Sequence, residues 1–151
     1  MAAHLDFELH QIDIKGAYLN GELTSREVIY MKQPPGFAAP NSTGKVWHLL
    51  KTLYGLKQSA RRWYFKLVEI MVDGRCDVDQ AVFLCRDGTE LIIVLVHVND
   101  CTIASSSMML NSDFKRKISE HVEITDLGEL HWLLGIKICC DRDHRSIHLS
   151  Q

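Results

Sequence analysis

From Glu8 to Ile14 apolar and polar residues alternate, the period of a strand with one buried face. Asn20-Gly21 signals a tight turn, and Glu27-Val28-Ile29-Tyr30-Met31 reads as a second strand. Pro34-Pro35-Gly36 breaks the chain into a loop, after which Val46 to Leu50 is a short strand. Between Lys57 and Val72 the period changes. Trp63, Leu67, Ile70 and Met71 recur at helical spacing, with the basic residues toward the N-terminal half. Ala81 to Cys85 and Glu90 to Val98 are strands joined by an Arg86-Asp87-Gly88 turn. Ser105-Ser106-Ser107 caps a second helix carrying Leu110, Phe114 and Ile118 at i, i+4 and i+8. A final hairpin runs from His131 to Cys140, turns at Asp141 to Arg145 and returns through Ser146 to Leu149. Strands split by helices, with an antiparallel hairpin in the middle, predict an α+β fold whose helices lie on one face of the sheet.

The 151 residues suit one domain, and no linker, repeat or low-complexity run divides them. A content of 46% hydrophobic and 24% charged residues is that of an ordinary soluble globular protein. The net charge of -2 gives no help to a nucleic-acid reading, and its distribution, though more informative, also fits a plain solvated basic face. Val28 through Val68 contains no Asp or Glu, while Lys32, Lys45, Lys51, Lys57, Arg61, Arg62 and Lys66 all fall there, so part of the surface should be positive. The longest apolar run, Leu91 to Val96, is a buried strand rather than a membrane span, and no membrane partner is expected. Cys76, Cys85, Cys101, Cys139 and Cys140 are odd in number and lack CxxC spacing, and no signal-peptide pattern is visible. Free thiols in a reducing setting are therefore expected: intracellular, cytoplasmic or nuclear, and not secreted.

Two places carry candidate chemistry. Asp13 lies near the end of the first strand, and Asn99-Asp100 follows the apolar strand Leu91 to Val98. If those strands lie side by side, Asp13 and Asp100 face each other within reach of one cation, and carboxylates converging at strand ends suit Mg²⁺. The bland alternative is that Asn99-Asp100 is a β-turn with no ligand. Cys140-x3-His144-x3-His148 has spacing a zinc site could use, but no fourth ligand is in place. Cys101, next to Asp100, reads as a buried small residue rather than a nucleophile.

His10-Gln11-Ile12-Asp13-Ile14-Lys15-Gly16-Ala17-Tyr18-Leu19-Asn20-Gly21 and then Tyr30-Met31-Lys32-Gln33-Pro34-Pro35-Gly36-Phe37 carry a resemblance. It continues through Leu53-Tyr54-Gly55-Leu56-Lys57-Gln58-Ser59-Ala60-Arg61-Arg62-Trp63-Tyr64 and His97-Val98-Asn99-Asp100. It ends with Asp126-Leu127-Gly128-Glu129-Leu130 and Leu133-Leu134-Gly135-Ile136-Lys137-Ile138. In this order and spacing the segments resemble the palm of copia-type retrotransposon reverse transcriptases.

The resemblance implies a reverse-transcriptase palm over residues 1–151, a mostly antiparallel sheet with two helices packed on one face. Most of the fingers, the thumb and RNase H are expected to be absent. By the same likeness the chain is the core of an RNA-directed DNA polymerase using two Mg²⁺ ions. Its partners would be an RNA or DNA template-primer, dNTPs and, in a full element, the rest of the Pol polyprotein. Asp13 and Asp100 would bind metal, and Tyr18 would be the aromatic gate against a ribose 2′-hydroxyl. Tyr54, Gly55, Lys57 and Gln58 would border the nucleotide and template, with Lys57, Arg61 and Arg62 contacting phosphates. Leu134, Gly135 and Ile136 would grip the primer. Two departures stand out: Ala60 replaces the family's usual Pro, and Asn99 replaces the first Asp of the Asp-Asp box. Asn99 retains an oxygen but loses the charge, so impaired catalysis is expected. The alternative is a non-catalytic remnant, domesticated or decaying, that at most binds nucleic acid.

Overall fold

The computed structural model describes residues 1–37, 44–72, 76–79 and 81–151. In chain order the elements are α1 (Ala2–Leu5), β1 (Glu8–Ile14), a 3-10 turn (Ala17–Asn20), β2 (Tyr30–Lys32), β3 (Val46–His48), α2 (Ser59–Val72) and β4 (Cys76–Asp79). There follow β5 (Val82–Asp87), β6 (Glu90–His97), β7 (Asp100–Ser105), α3 (Met108–Ser119), β8 (Ile124–Glu129), β9 (Trp132–Leu133), β10 (Ile136–Asp141) and β11 (Ser146–Ser150). The chain divides into two compact units, residues 1–16 with 67–151 and residues 17–66.

The first unit is built on a six-stranded sheet of order β4-β5-β6-β7-β1-β8, every neighbour antiparallel. One row across it joins Phe83, Val94, Ile103 and His10 in register. Phe83, Val94 and Ile103 are fully buried, as are Ile12 and Ile14 on the same face. Because side chains alternate along a strand, the odd-numbered Gln11 and Asp13 project from the opposite face. α3 covers the apolar face: Lys115 on the helix bonds His10 Nδ1 at 2.8 Å, and Ile118 is buried. Its start is fixed by Ser107, whose hydroxyl accepts from the Leu110 amide at 3.2 Å. The class is α+β with a mostly antiparallel sheet. The helices number three rather than two, because the four-residue α1 forms ahead of β1.

β8 carries one extra residue opposite β1, since Gln11 pairs with Gly128 and Ile12 with Asp126. Gly128 sits at φ 74, a conformation natural to glycine, and the Asp126 carboxylate accepts from the Gly128 amide at 2.9 Å. The Asp-Leu-Gly run therefore encodes a bulge. The expected single strand from His131 to Cys140 is interrupted. Leu134 (φ 49) and Gly135 (φ 82) make a two-residue turn between β9 and β10, which join β11 in a separate three-stranded sheet. Two consecutive positive φ values define the hairpin turn that matches strand twist.

In the second unit, β2 and β3 form a short antiparallel ladder from Tyr30↔His48 to Lys32↔Val46. The strand expected from Glu27 begins later because Glu27 folds back, accepting from the Thr24 amide at 3.1 Å and the Thr24 hydroxyl at 3.0 Å. Gly21 is packed so closely that a Cβ there would lie 2.7 Å from Thr52 Oγ1 and 3.1 Å from the Trp63 amide nitrogen. Thr52 is buried and donates its hydroxyl to the Tyr18 carbonyl.

The cysteines depart from the expected set of five free thiols. Cys101, Cys139 and Cys140 are free, but Cys85 is disulfide-bonded. The backbone of β4 sets Cys76 opposite Cys85, a juxtaposition that spacing along the chain does not disclose.

Candidate functional site

β7 is the element that assembles the site. The apolar run of β6 leads straight into Asn99-Asp100, which would set β6 beside β1, whereas β7 lies between them. β6 turns through Val98-Asn99, His97 pairs with Asp100, and β7 then lies against β1 so that Asp100 pairs with Asp13. Asp13 in turn pairs with Thr125 of β8. His97, Asp100, Asp13 and Thr125 thus form a row on the face away from α3, and directly opposed residues have Cβ atoms about 4.5–5.5 Å apart. Both carboxylates are only partly buried.

Each carboxylate is held by a side-chain amide, one from the β6–β7 turn and one from β1. The Asn99 side-chain NH₂ donates to Asp13 Oδ1, and Gln11 Nε2 donates to Asp100 Oδ1 at a long 3.4 Å. The Ile14 amide donates to the Asn99 carbonyl at 2.8 Å, fixing the turn against β1. Val98 sits at φ 59, a genuine outlier for a β-branched residue at a position where such turns favour glycine. Backbone strain of this kind concentrates at functional sites. Behind the row, Cys101 is fully buried and its thiol is pushed up to about 12, by burial first and then by the negative charges of Asp100 and Asp13. It stays a neutral thiol, matching its reading as a small core residue.

The carboxylate pair has the donor chemistry of a Mg²⁺ site: hard oxygens, shared exposure and one strand register. Among the described residues no group of three or more His, Cys, Asp or Glu side chains converges as a metal site. The zinc spacing fails on register. Cys140 pairs with Ile147 while His148 pairs with Cys139, so Cys140 and His148 point to opposite faces, and His144 is bonded to Asp141 at 2.8 Å.

In the second unit, Tyr18 and Tyr54 stack with ring centroids 4.9 Å apart and planes tilted by 47°. Gly55 takes φ 94 in the turn before α2, a value that explains the glycine in that motif. Lys57 and Arg61 are exposed, and Gln58 is half-buried, its carbonyl accepting from the Arg62 amide at 2.9 Å. Arg62 differs from its neighbours. Its Nε lies 2.6 Å from Glu27 Oε2, an ion pair made by proximity without an aligned Nε–H bond, and its Nη2 donates to Thr24 at 3.2 Å. Arg62, expected as a phosphate contact, is thus already engaged with Glu27 and Thr24 inside its own unit. The hydrogen bond from the Thr24 amide first, and then the Arg62 guanidinium, hold the Glu27 carboxyl below its usual range against a smaller opposing effect of burial. Leu134, Gly135 and Ile136 lie at the β9–β10 turn, with Leu134 63% exposed.

Three participants went unassigned in the sequence. Gln11 was legible, because period-two alternation puts it on the face of Asp13. The strain at Val98 and the Glu27–Arg62 pair had no local signature.

A family profile described as reverse transcriptase (RNA-dependent DNA polymerase) matches residues 1–151. The "Retrovirus-related Pol polyprotein from transposon TNT 1-94" of Nicotiana tabacum is 37% identical over 155 residues, covering 100% of this chain and 12% of the relative. The corresponding polyprotein from transposon RE1 of Arabidopsis thaliana is 32% identical over 154 residues, covering 100% of this chain and 10% of the relative. A "Putative transposon Ty5-1 protein" of Saccharomyces cerevisiae is 29% identical over 130 residues, 84% of this chain and 42% of the relative. The chain thus spans only a small part of the first two relatives. No solved structure matches it.

Proposed function

The chain belongs to the reverse transcriptase (RNA-dependent DNA polymerase) family, and on that premise we propose that it is the palm of a copia-type RNA-directed DNA polymerase, impaired at Asn99. The observation that carries the reading is the register pair Asp13↔Asp100 at the meeting of β1 with the β6–β7 turn. Asp13 and Asp100 would hold Mg²⁺, which when bound supplies positive charge to activate a primer 3′-hydroxyl and stabilise the leaving oxygen, as a pair of ions does in this family. Gln11 orients Asp100, and Asn99 orients Asp13. Asn99 brings an amide where the family has a carboxylate, so the row carries one negative charge fewer, and its NH₂ occupies a lone pair of Asp13.

Tyr18, braced by Tyr54, is the proposed gate against a ribose 2′-hydroxyl. Lys57 and Arg61 offer exposed cations to phosphates, with Gly55 and Gln58 forming the turn that presents them. The strained turn at Leu134, Gly135 and Ile136 is the proposed primer contact. Residues 1–151 form the palm in this reading. Fingers, thumb and RNase H would come from a longer Pol polyprotein, as the size of the relatives suggests. The proposed setting is intracellular, cytoplasmic or nuclear, and among the described residues no helix is long and apolar enough to cross a membrane.

Asn99 itself favours a second reading, a non-catalytic remnant that at most binds nucleic acid. The test is Mg²⁺-dependent primer extension with this chain grafted in place of the matching segment of a working relative, as it stands and as Asn99→Asp. The substituted graft should extend roughly 10²–10³-fold faster. Rates within about tenfold of each other would remove Asn99 as the lesion, and two inactive grafts would favour the remnant.

A further inference from the structure

Phe65 is a residue that the motif-based reading does not use. A phenylalanine on a helix is expected in the core, yet this one keeps 45% of its surface exposed. The Arg61 guanidinium lies 5.4 Å from its ring centroid and that of Arg62 5.8 Å, both inside the range of a cation–π contact. Tyr64 lies 6.0 Å away, centroid to centroid. Arg62 is neutralised by Glu27, so Arg61 contributes the uncompensated charge, and among the described residues neither Arg61 nor Lys57 is in an ion pair.

The combination narrows the occupant. A lone ring is too small an apolar patch to dock a folded protein. The stretch from Val28 to Val68 has seven cations and no acid, so its complement is anionic. An anionic ligand that also offers flat aromatic faces is a nucleic acid whose bases are unpaired. We propose that Phe65, with Arg61 beside it, is a stacking platform for a base of single-stranded nucleic acid, the unpaired template of the polymerase reading on which this inference rests. Arg61 holds the backbone phosphate while the ring receives the base, which gives affinity without sequence preference.

A fluorescent oligo-dT and a blunt duplex, each titrated with the whole chain by anisotropy across a salt series, test the idea. Phe65→Leu keeps an apolar helix residue but removes the π-face. It should weaken oligo-dT binding by roughly 5- to 150-fold, leave the salt slope unchanged and leave duplex binding unaltered. Phe65→Trp should retain affinity, and Arg61→Gln should lower the single-strand salt slope by about 0.7. A loss within about twofold for Phe65→Leu, or an equal loss on the duplex, overturns the proposal. If that result comes while the unsubstituted chain still binds the oligo-dT or the duplex, only the stacking assignment fails. If the unsubstituted chain binds none of these oligonucleotides, the polymerase reading fails with it.

Discussion

Consider Asn99→Asp in the absence of any divalent cation. The Asn99 NH₂ donates to Asp13 Oδ1, and Asp100 faces Asp13 across the β1–β7 ladder. The substitution replaces a donor by a third carboxylate in one small row. A hydrogen bond to a charged group is worth about 1.5–3 kcal/mol, and exposure places this one at the low end. Two like charges about 4 Å apart repel by about 1 kcal/mol in water and about 4 kcal/mol at an effective dielectric of 20. A part-buried pair lies between, and protonation caps the cost, so the net loss of stability at neutral pH is about 2 kcal/mol. For a chain of this length that lowers Tm by about 4–8 °C.

The pH dependence carries a sign that tests the cause. Repulsion raises the folded pKa of the new carboxyl above its unfolded value of about 3.9, so the folded state binds the extra proton. Stability relative to the parent then falls as pH rises, with no penalty below about pH 4 and the full penalty above about pH 6. Mg²⁺ at about 10 mM should restore part of the loss, because binding to the folded state adds stability by mass action. Thermal melts of both chains at matched ionic strength, with and without Mg²⁺, read all three effects. A variant melting within about 1 °C of the parent at neutral pH, or one whose deficit is the same at pH 4, refutes the carboxylate row.

Further outcomes follow from other parts of the fold. Leu134→Asn puts a residue tolerant of positive φ into the β9–β10 turn and should raise stability by about 1 kcal/mol in urea, while weakening primer-template binding; no gain in stability would mean that Leu134 is unstrained. Gly21→Ala drives a methyl into Thr52 and the Trp63 backbone and should cost about 1–3 kcal/mol by the same assay, a neutral effect being the contrary result. The His10 imidazole titrates below its ordinary value, first through burial and then through Lys115, against smaller opposing effects of Asp126, Glu129 and Glu8. The unfolded chain therefore takes up that proton first, and stability falls as pH drops below about 6.5. His10→Asn should flatten the Tm–pH slope just below that value; an unaltered slope would show that other histidines account for it.

Much of the family likeness is legible along the chain because its signals are local. Alternation over Glu8–Ile14 gave a strand with the observed bounds, and the helical period ending at Val72 was right to within two residues at its start. Gly55 and Gly135 sit in quoted motifs for a reason that one residue's backbone explains, a positive φ. The order of motifs, with Asp13 first and Asn99-Asp100 later, points to the candidate carboxylates from the chain alone. Propensity misled where side chains redirect the backbone. Glu27 looked like the start of a strand until its carboxylate turned back to Thr24. The run from His131 to Cys140 looked continuous until two positive φ values folded it at Leu134.

What the sequence by itself determined was the family and the α+β class, and it supplied a set of candidate residues, because each rests on residue types at fixed spacing. Which of them meet was decided by the tertiary structure. β7 is read as strand only because β6 and β1 flank it, and that pairing, 87 positions apart in the chain for Asp13 and Asp100, brings two isolated acids into one candidate site. The engagement of Arg62 with Glu27 and the exposure of Phe65 were settled in the same way. Burial, pairing and charge compensation depend on which distant segments are brought together, and a hydrophobic period specifies a face without naming what will cover it.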